Sequence, residues 1–116
     1  LTFGGESYTR RKFFEGRKTV GLNRQIQVSR QTIVLNDLGM HARPAAKIAQ
    51  MAMTATKNIW LSNGSTQVDA SSIIDILTLC AKKGARIHIQ AESSRDTAVL
   101  EQIKAFFDSG FGELIS

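Results

Sequence analysis

Apolar residues along this chain recur with two different spacings, and the switches between them divide it into elements. From Ile26 to Leu35, "IQVSRQTIVL", they fall loosely at alternate positions (Ile26, Val28, then Ile33 and Leu35) and β-branched types dominate, so a strand is predicted. "NDLG" then turns the chain. From about Ala42 to Thr54 the spacing becomes three and four, with Ala45, Ile48, Ala49 and Ala52 on one narrow stripe, which predicts a helix. Pro44 fits its first turn, where a missing N–H leaves no bond unmade. "NIWLS" and "STQVDA" are short strand candidates around Asn63-Gly64, the dipeptide that favours a tight type I′ hairpin turn.

A second helix is predicted from about Ser72 to Lys82, with Ile73, Ile76, Leu77 and Cys80 on one face. Ser72 with Asp75 three residues on forms a capping box at its start, and "KKG" places cations at its negative end and Gly84 at its C-cap. "ARIHIQA", residues 85–91, alternates as a strand with His88 outward. "SSRDTAVLEQIKAFFDSG" predicts a third helix with Ala98, Val99, Ile103, Phe106 and Phe107 inward, ending at Gly110. The order βαββαβα is best buried in two layers, an α+β open-faced sandwich whose four-stranded antiparallel sheet is covered on one face by three helices.

Composition narrows this picture. A chain of 116 residues makes one core, assigned to residues 26–116. Of the net charge of +5, residues 1–25 hold +4, from six Lys or Arg against two Glu, so the basicity belongs to an N-terminal leader read as flexible or peripheral. No apolar run is long enough to cross a bilayer and no secretory signal opens the chain, so a cytoplasmic protein without membrane insertion is expected. Cys80 is the sole cysteine and cannot form an internal disulfide; it is expected to be a small buried residue on the second helix.

The candidate chemistry lies in "LGMHARPAA". The first N–H groups of a helix are unpaired and its dipole is positive there, a seat for an anion. His41 stands directly before that end. Arg43 can bring a guanidinium fork to phosphate oxygens, and the positive surroundings favour a neutral, nucleophilic ring. A carboxylate near His41 in sequence is found only at Asp37. No phosphate loop, no GxSxG and no metal-ligand spacing occurs, so neither a self-sufficient enzyme, nor a metal, nor a cofactor is expected.

The residues "GMHARPAA", then "VDASSIIDI", then "KKGARIHIQAES" resemble HPr, the histidine-containing phosphocarrier family of the bacterial phosphoenolpyruvate–sugar phosphotransferase system, over about Gln27 to Gly110. The resemblance implies that His41 accepts a phosphoryl group on Nδ1 from phospho-enzyme I and passes it to IIA domains of sugar permeases, with Arg43 stabilising the transferred charge. It places Ser72 at the family's regulatory serine, phosphorylated in many bacteria by HPr kinase/phosphorylase. Met40, Ile73 and Ile74 become partner contacts, Ile74 the more exposed, and Lys82 and Lys83 belong to solvated faces. Transcriptional regulators are further partners, and a monomer is expected.

Two rivals remain at this stage. A nitrogen-type or purely regulatory paralogue would use the same His41. A small RNA-binding α+β domain would account for the basic leader with Phe13 and Phe14, but Trp60 is alone among outward aromatics and the charge lies outside the core, so no nucleic-acid partner is expected. The tail "FGELIS" is assigned no chemistry.

Overall fold

A computed structural model describes residues 25–116; the expectations for the leader lie outside the described residues. Four strands, β1 (Val28–Ile33), β2 (Ile59–Ser62), β3 (Gln67–Asp69) and β4 (Arg86–Ala91), form one sheet in the order β1-β4-β2-β3, each neighbour antiparallel. Three helices, α1 (Ala42–Ala52), α2 (Ile73–Thr78) and α3 (Thr97–Asp108), cover one face of it. This is the βαββαβα open-faced sandwich expected from the periodicity. Among the described residues no helix is long and apolar enough to cross a membrane.

The core lies between sheet and helices. Ile59, Leu61, Ile87, Ile89 and Ala91 from the strands meet Ala45, Ile48 and Ala52 of α1 and Leu100, Ile103 and Phe107 of α3. Along β1 and the residue after it the loose alternation resolves in favour of the even positions, with Thr32 and Val34 buried while Ile33 is turned out. Thr32 is admitted there because its hydroxyl donates to Asp108 Oδ1 at 2.7 Å, tying β1 to the end of α3.

The expectations for α2, Cys80, Gly84 and α3 need correction. α2 stops at Thr78, well short of Lys82; Leu79 is its C-cap and is buried, whereas Cys80 leaves the helix with φ 50 and is exposed. Within α2 only Ile76 is buried, and Ile73 and Leu77 are not. Gly84 therefore caps no helix but turns the chain into β4, its N–H donating to Val34 O at 2.7 Å. In α3 the inward set is Leu100, Ile103 and Phe107; Val99 and Phe106 are half-buried and Ala98 is exposed.

The hairpin is also wider than predicted. Asn63 does not take the positive φ that a type I′ turn needs. Instead its Oδ1 accepts from Ser65 N at 3.1 Å and Thr66 N at 2.8 Å, and its N–H donates to Thr66 O at 3.1 Å. The side chain thus mimics a turn of backbone and supports a four-residue loop.

Candidate functional site

His41 is the N-cap of α1, with an extended backbone (φ −145°, ψ −175°) that lets its carbonyl accept from Ala45 N at 3.0 Å while its ring stays outside the helix. The loop before it is set by Gly39, at φ +71, because a Cβ there would meet Ala81 O at 2.8 Å. Met40 N then donates to that same carbonyl at 2.8 Å. The chain is held tightly against the turn before β4, and His41 is delivered to the helix entrance.

No acidic side chain occupies the first turn of α1. Ala42 and Arg43 contribute backbone N–H groups that have no carbonyl a turn earlier to bond, Pro44 has none to lose, and the helix dipole adds positive potential. Arg43 is exposed beside them. His41 and Arg43 thus both stand at the entrance of α1, His41 as its N-cap and Arg43 exposed in its first turn.

A residue missed by sequence reasoning completes the site. After α3, Gly110, Phe111 and Gly112 all take positive φ, which reverses the chain. Phe111 is held in that reversal by ring contacts to Phe107 (centroids 5.0 Å apart) and Phe106 (5.1 Å). The tail returns beside the β1–α1 loop, where Asp37 N donates to Leu114 O at 3.0 Å. Glu113 then lies against the histidine ring, Oε2 at 2.8 Å and Oε1 at 3.0 Å from His41 Nε2. The His41 hydrogen bond holds the Glu113 carboxyl below the usual glutamate range; burial opposes this, and a hydrogen bond from Asn36 adds to it.

An ionised carboxylate can only accept, so Nε2 must carry the hydrogen of this contact. The other ring nitrogen, Nδ1, has no hydrogen-bond partner among the described residues. In the neutral ring the lone pair is therefore on Nδ1. The ring meets a negative partner at Nε2, where the sequence had suggested positive surroundings alone. The signal for Glu113 was faint: the "GFG" turn marks a chain reversal, but no local pattern says where the next residue lands.

Ser72 is the N-cap of α2, and its Oγ accepts from Asp75 N at 3.2 Å. Ser72 N donates to Asp69 O at 3.1 Å. Ile74 is 75% exposed and Ile73 41%. Met40 is half-buried against the core. Lys83, expected on a solvated face, bonds Asp37 Oδ1 at 2.9 Å, while Lys82 is exposed.

Comparison with known proteins agrees with this geometry. The family model described as "PTS HPr component phosphorylation site" matches residues 28–109. The chain belongs to the HPr family. The phosphocarrier protein NPr of Escherichia coli K12 is 36% identical over 86 residues, covering 72% of this chain and 96% of that protein. The phosphocarrier protein HPr of Cupriavidus necator is 30% identical, covering 74% and 97%. The crystal structure of HPr-C-His from Thermoanaerobacter tengcongensis superposes with a TM-score of 0.71 at 28% identity, covering 77% of this chain and all of that one. As a member of the HPr family, the protein carries phosphoryl groups between enzyme I and IIA domains through a phosphohistidine intermediate and is not a self-sufficient enzyme.

Proposed function

We propose that His41 is the phosphoryl acceptor, that it is phosphorylated on Nδ1, and that residues 26–116 are the phosphocarrier unit. The observation that carries this is the ring at the start of α1 with Nε2–H engaged by Glu113 and Nδ1 unpartnered. In the transfer, the Nδ1 lone pair forms a bond to phosphorus as the donor's N–P bond breaks, and the donor histidine keeps that electron pair. The Nε2 proton stays on the His41 ring, which becomes positively charged, with Glu113 facing that charge. The phosphoryl oxygens meet the N–H groups of the first helical turn and the Arg43 guanidinium, electrostatic stabilisation placed in advance of the charge. Delivery to a IIA domain is the same step reversed.

Incubation with enzyme I and phosphoenolpyruvate tests the assignment. An acid-labile, base-stable adduct is expected, absent from His41→Ala; an adduct that survives the substitution refutes it.

Ser72 is a regulatory phosphorylation site in this reading. Its hydroxyl sits at a helix start, where an added phosphate is favoured, and its charge would repel acidic partners that dock beside His41. Met40, Ile73 and Ile74 form the partner contact, with exposed Ile74 at its centre. The protein acts as a monomer in the bacterial cytoplasm, with HPr kinase/phosphorylase and transcriptional regulators as further partners. Incubation with ATP and the kinase should give an acid-stable adduct, lost in Ser72→Ala; no labelling of the wild type removes the regulatory role.

A nitrogen-type carrier is the second reading, favoured by the 36% identity to the E. coli NPr against 30% to the C. necator HPr. The recipient decides between them: phosphoryl transfer to a nitrogen-type IIA domain, and not to sugar IIA domains, would establish the regulatory branch.

A further inference from the structure

We propose that Asn36 is a positioning residue of the transfer site, setting through Glu113 which nitrogen of His41 bears the proton. This role presupposes that His41 is the acceptor, and it assigns control of that ring to a side chain that never touches it.

Asn36 follows β1 and is fully buried, at 0% exposure. Its amide nitrogen has two hydrogens and both are used. One bond goes to Gly39 O at 2.9 Å, the other to Glu113 Oε1 at 2.9 Å. A flipped amide would set its oxygen against a carbonyl and a carboxylate, so these partners fix its orientation.

The other end of the amide explains why stability alone does not account for the residue. Asn36 Oδ1 is buried with no hydrogen-bond partner among the described residues. An unsatisfied buried acceptor costs free energy that an apolar side chain at the same place would not. What asparagine supplies is a double donor between two segments that both bear on His41. Gly39 lies two residues before the histidine, in the loop that delivers it, and Glu113 lies in the tail that touches its ring.

The consequence is a relay of three groups. Asn36 donates to Glu113, which keeps that carboxylate fixed and assists its ionisation. Glu113 accepts from His41 Nε2, and the lone pair is left on Nδ1. The same division of labour, a carboxylate that orients an imidazole and a third group that orients the carboxylate, governs tautomer choice in histidine catalysis generally.

The test uses the full chain as wild type, Asn36→Ala, Glu113→Gln and the double variant. Two quantities are read: the ¹⁵N shifts of the His41 ring nitrogens across pH, and the rate of phosphoryl acceptance from phospho-enzyme I. The wild type should show Nε2–H as the dominant neutral tautomer. Asn36→Ala should give mixed tautomers and a rate about tenfold lower. Because both residues act in one chain, the double variant should be no slower than Glu113→Gln alone.

A folded Asn36→Ala with unchanged ring shifts, or losses that multiply in the double variant, would overturn the role. If Asn36→Ala does not fold, the wild type still decides. The Asn36 side-chain amide resonances should move with His41 titration and cease to do so in Glu113→Gln; resonances indifferent to His41 overturn the proposal. The ring shifts need no enzyme I, so a wild type not phosphorylated at His41 refutes the acceptor assignment separately.

Discussion

At Cys80 the backbone takes φ 50 with a side chain that gains nothing from it, since the thiol is exposed. A left-handed conformation outside glycine costs about 1–2 kcal/mol, whereas glycine's extra freedom in the unfolded chain costs about 0.5–1 kcal/mol. Cys80→Gly should therefore stabilise the domain by about 0.5–1 kcal/mol and raise Tm by about 4 °C, read by thermal denaturation. The strained position also explains why the sequence misplaces it. Ile73, Ile76, Leu77 and Cys80 have helical spacing, and no Gly or Pro marks the stop at Thr78. Spacing reports which residues share a face only while the helix continues. His41 and Arg43 were legible because their positions are local to one helix start, whereas Glu113 meets the ring, and Asn36 meets Glu113, only through tertiary folding.

Elements are tied together here by a few buried polar side chains. Asp96, 2% exposed, precedes α3 and accepts from Thr56 N at 2.8 Å, Lys57 N at 3.0 Å and the Thr56 hydroxyl at 3.1 Å. One carboxylate thus joins the loop after α1 to the start of α3. Asp96→Ala would leave those backbone donors without their partner and should destabilise by about 3 kcal/mol, measurable by urea unfolding with little change in m. The helices and strands were readable from periodicity because each has one apolar face. The tail after Gly110 was not, since "FGELIS" has no period and its place is set by Phe111 entering the aromatic cluster. In β1 the apolar positions supported either phase. The hydroxyl of Thr32 finding Asp108 allowed the even one, a partner 76 residues away that no local pattern encodes.

At the scale of the molecule, the carboxyls of Asp37, Asp96, Asp108 and Glu113 shift in one direction. Asp37 is lowered to about 2, first by the Ser116 hydroxyl and then by Lys83. Asp108 is lowered by its Lys104 and Thr32 partners against the cost of burial. In Asp96 burial raises the pKa, but the Thr56 and Lys57 hydrogen bonds outweigh it. Glu113 is lowered through His41. A group whose folded pKa is depressed binds fewer protons folded than unfolded, so its stabilisation is present above the unfolded value and disappears as pH falls through the folded one. Unperturbed values of 3.8 for Asp and 4.5 for Glu put the onset just below pH 5. Stability set by these groups should be level above that point and decline toward pH 2, with Asp37→Asn reducing the steepness at the acid end. Urea midpoints across pH 2–7 check this, and a midpoint that rises on acidification would contradict it.

The chain reversal at Gly110–Gly112 gives the His41 ring a companion 72 residues further along the sequence. A version ending at Gly112 would keep every residue of the hydrophobic core but lose both the carboxylate at His41 and the Leu114 and Ser116 contacts to Asp37. Under the proposed assignment, such a version should lose more in phosphoryl acceptance than in folding.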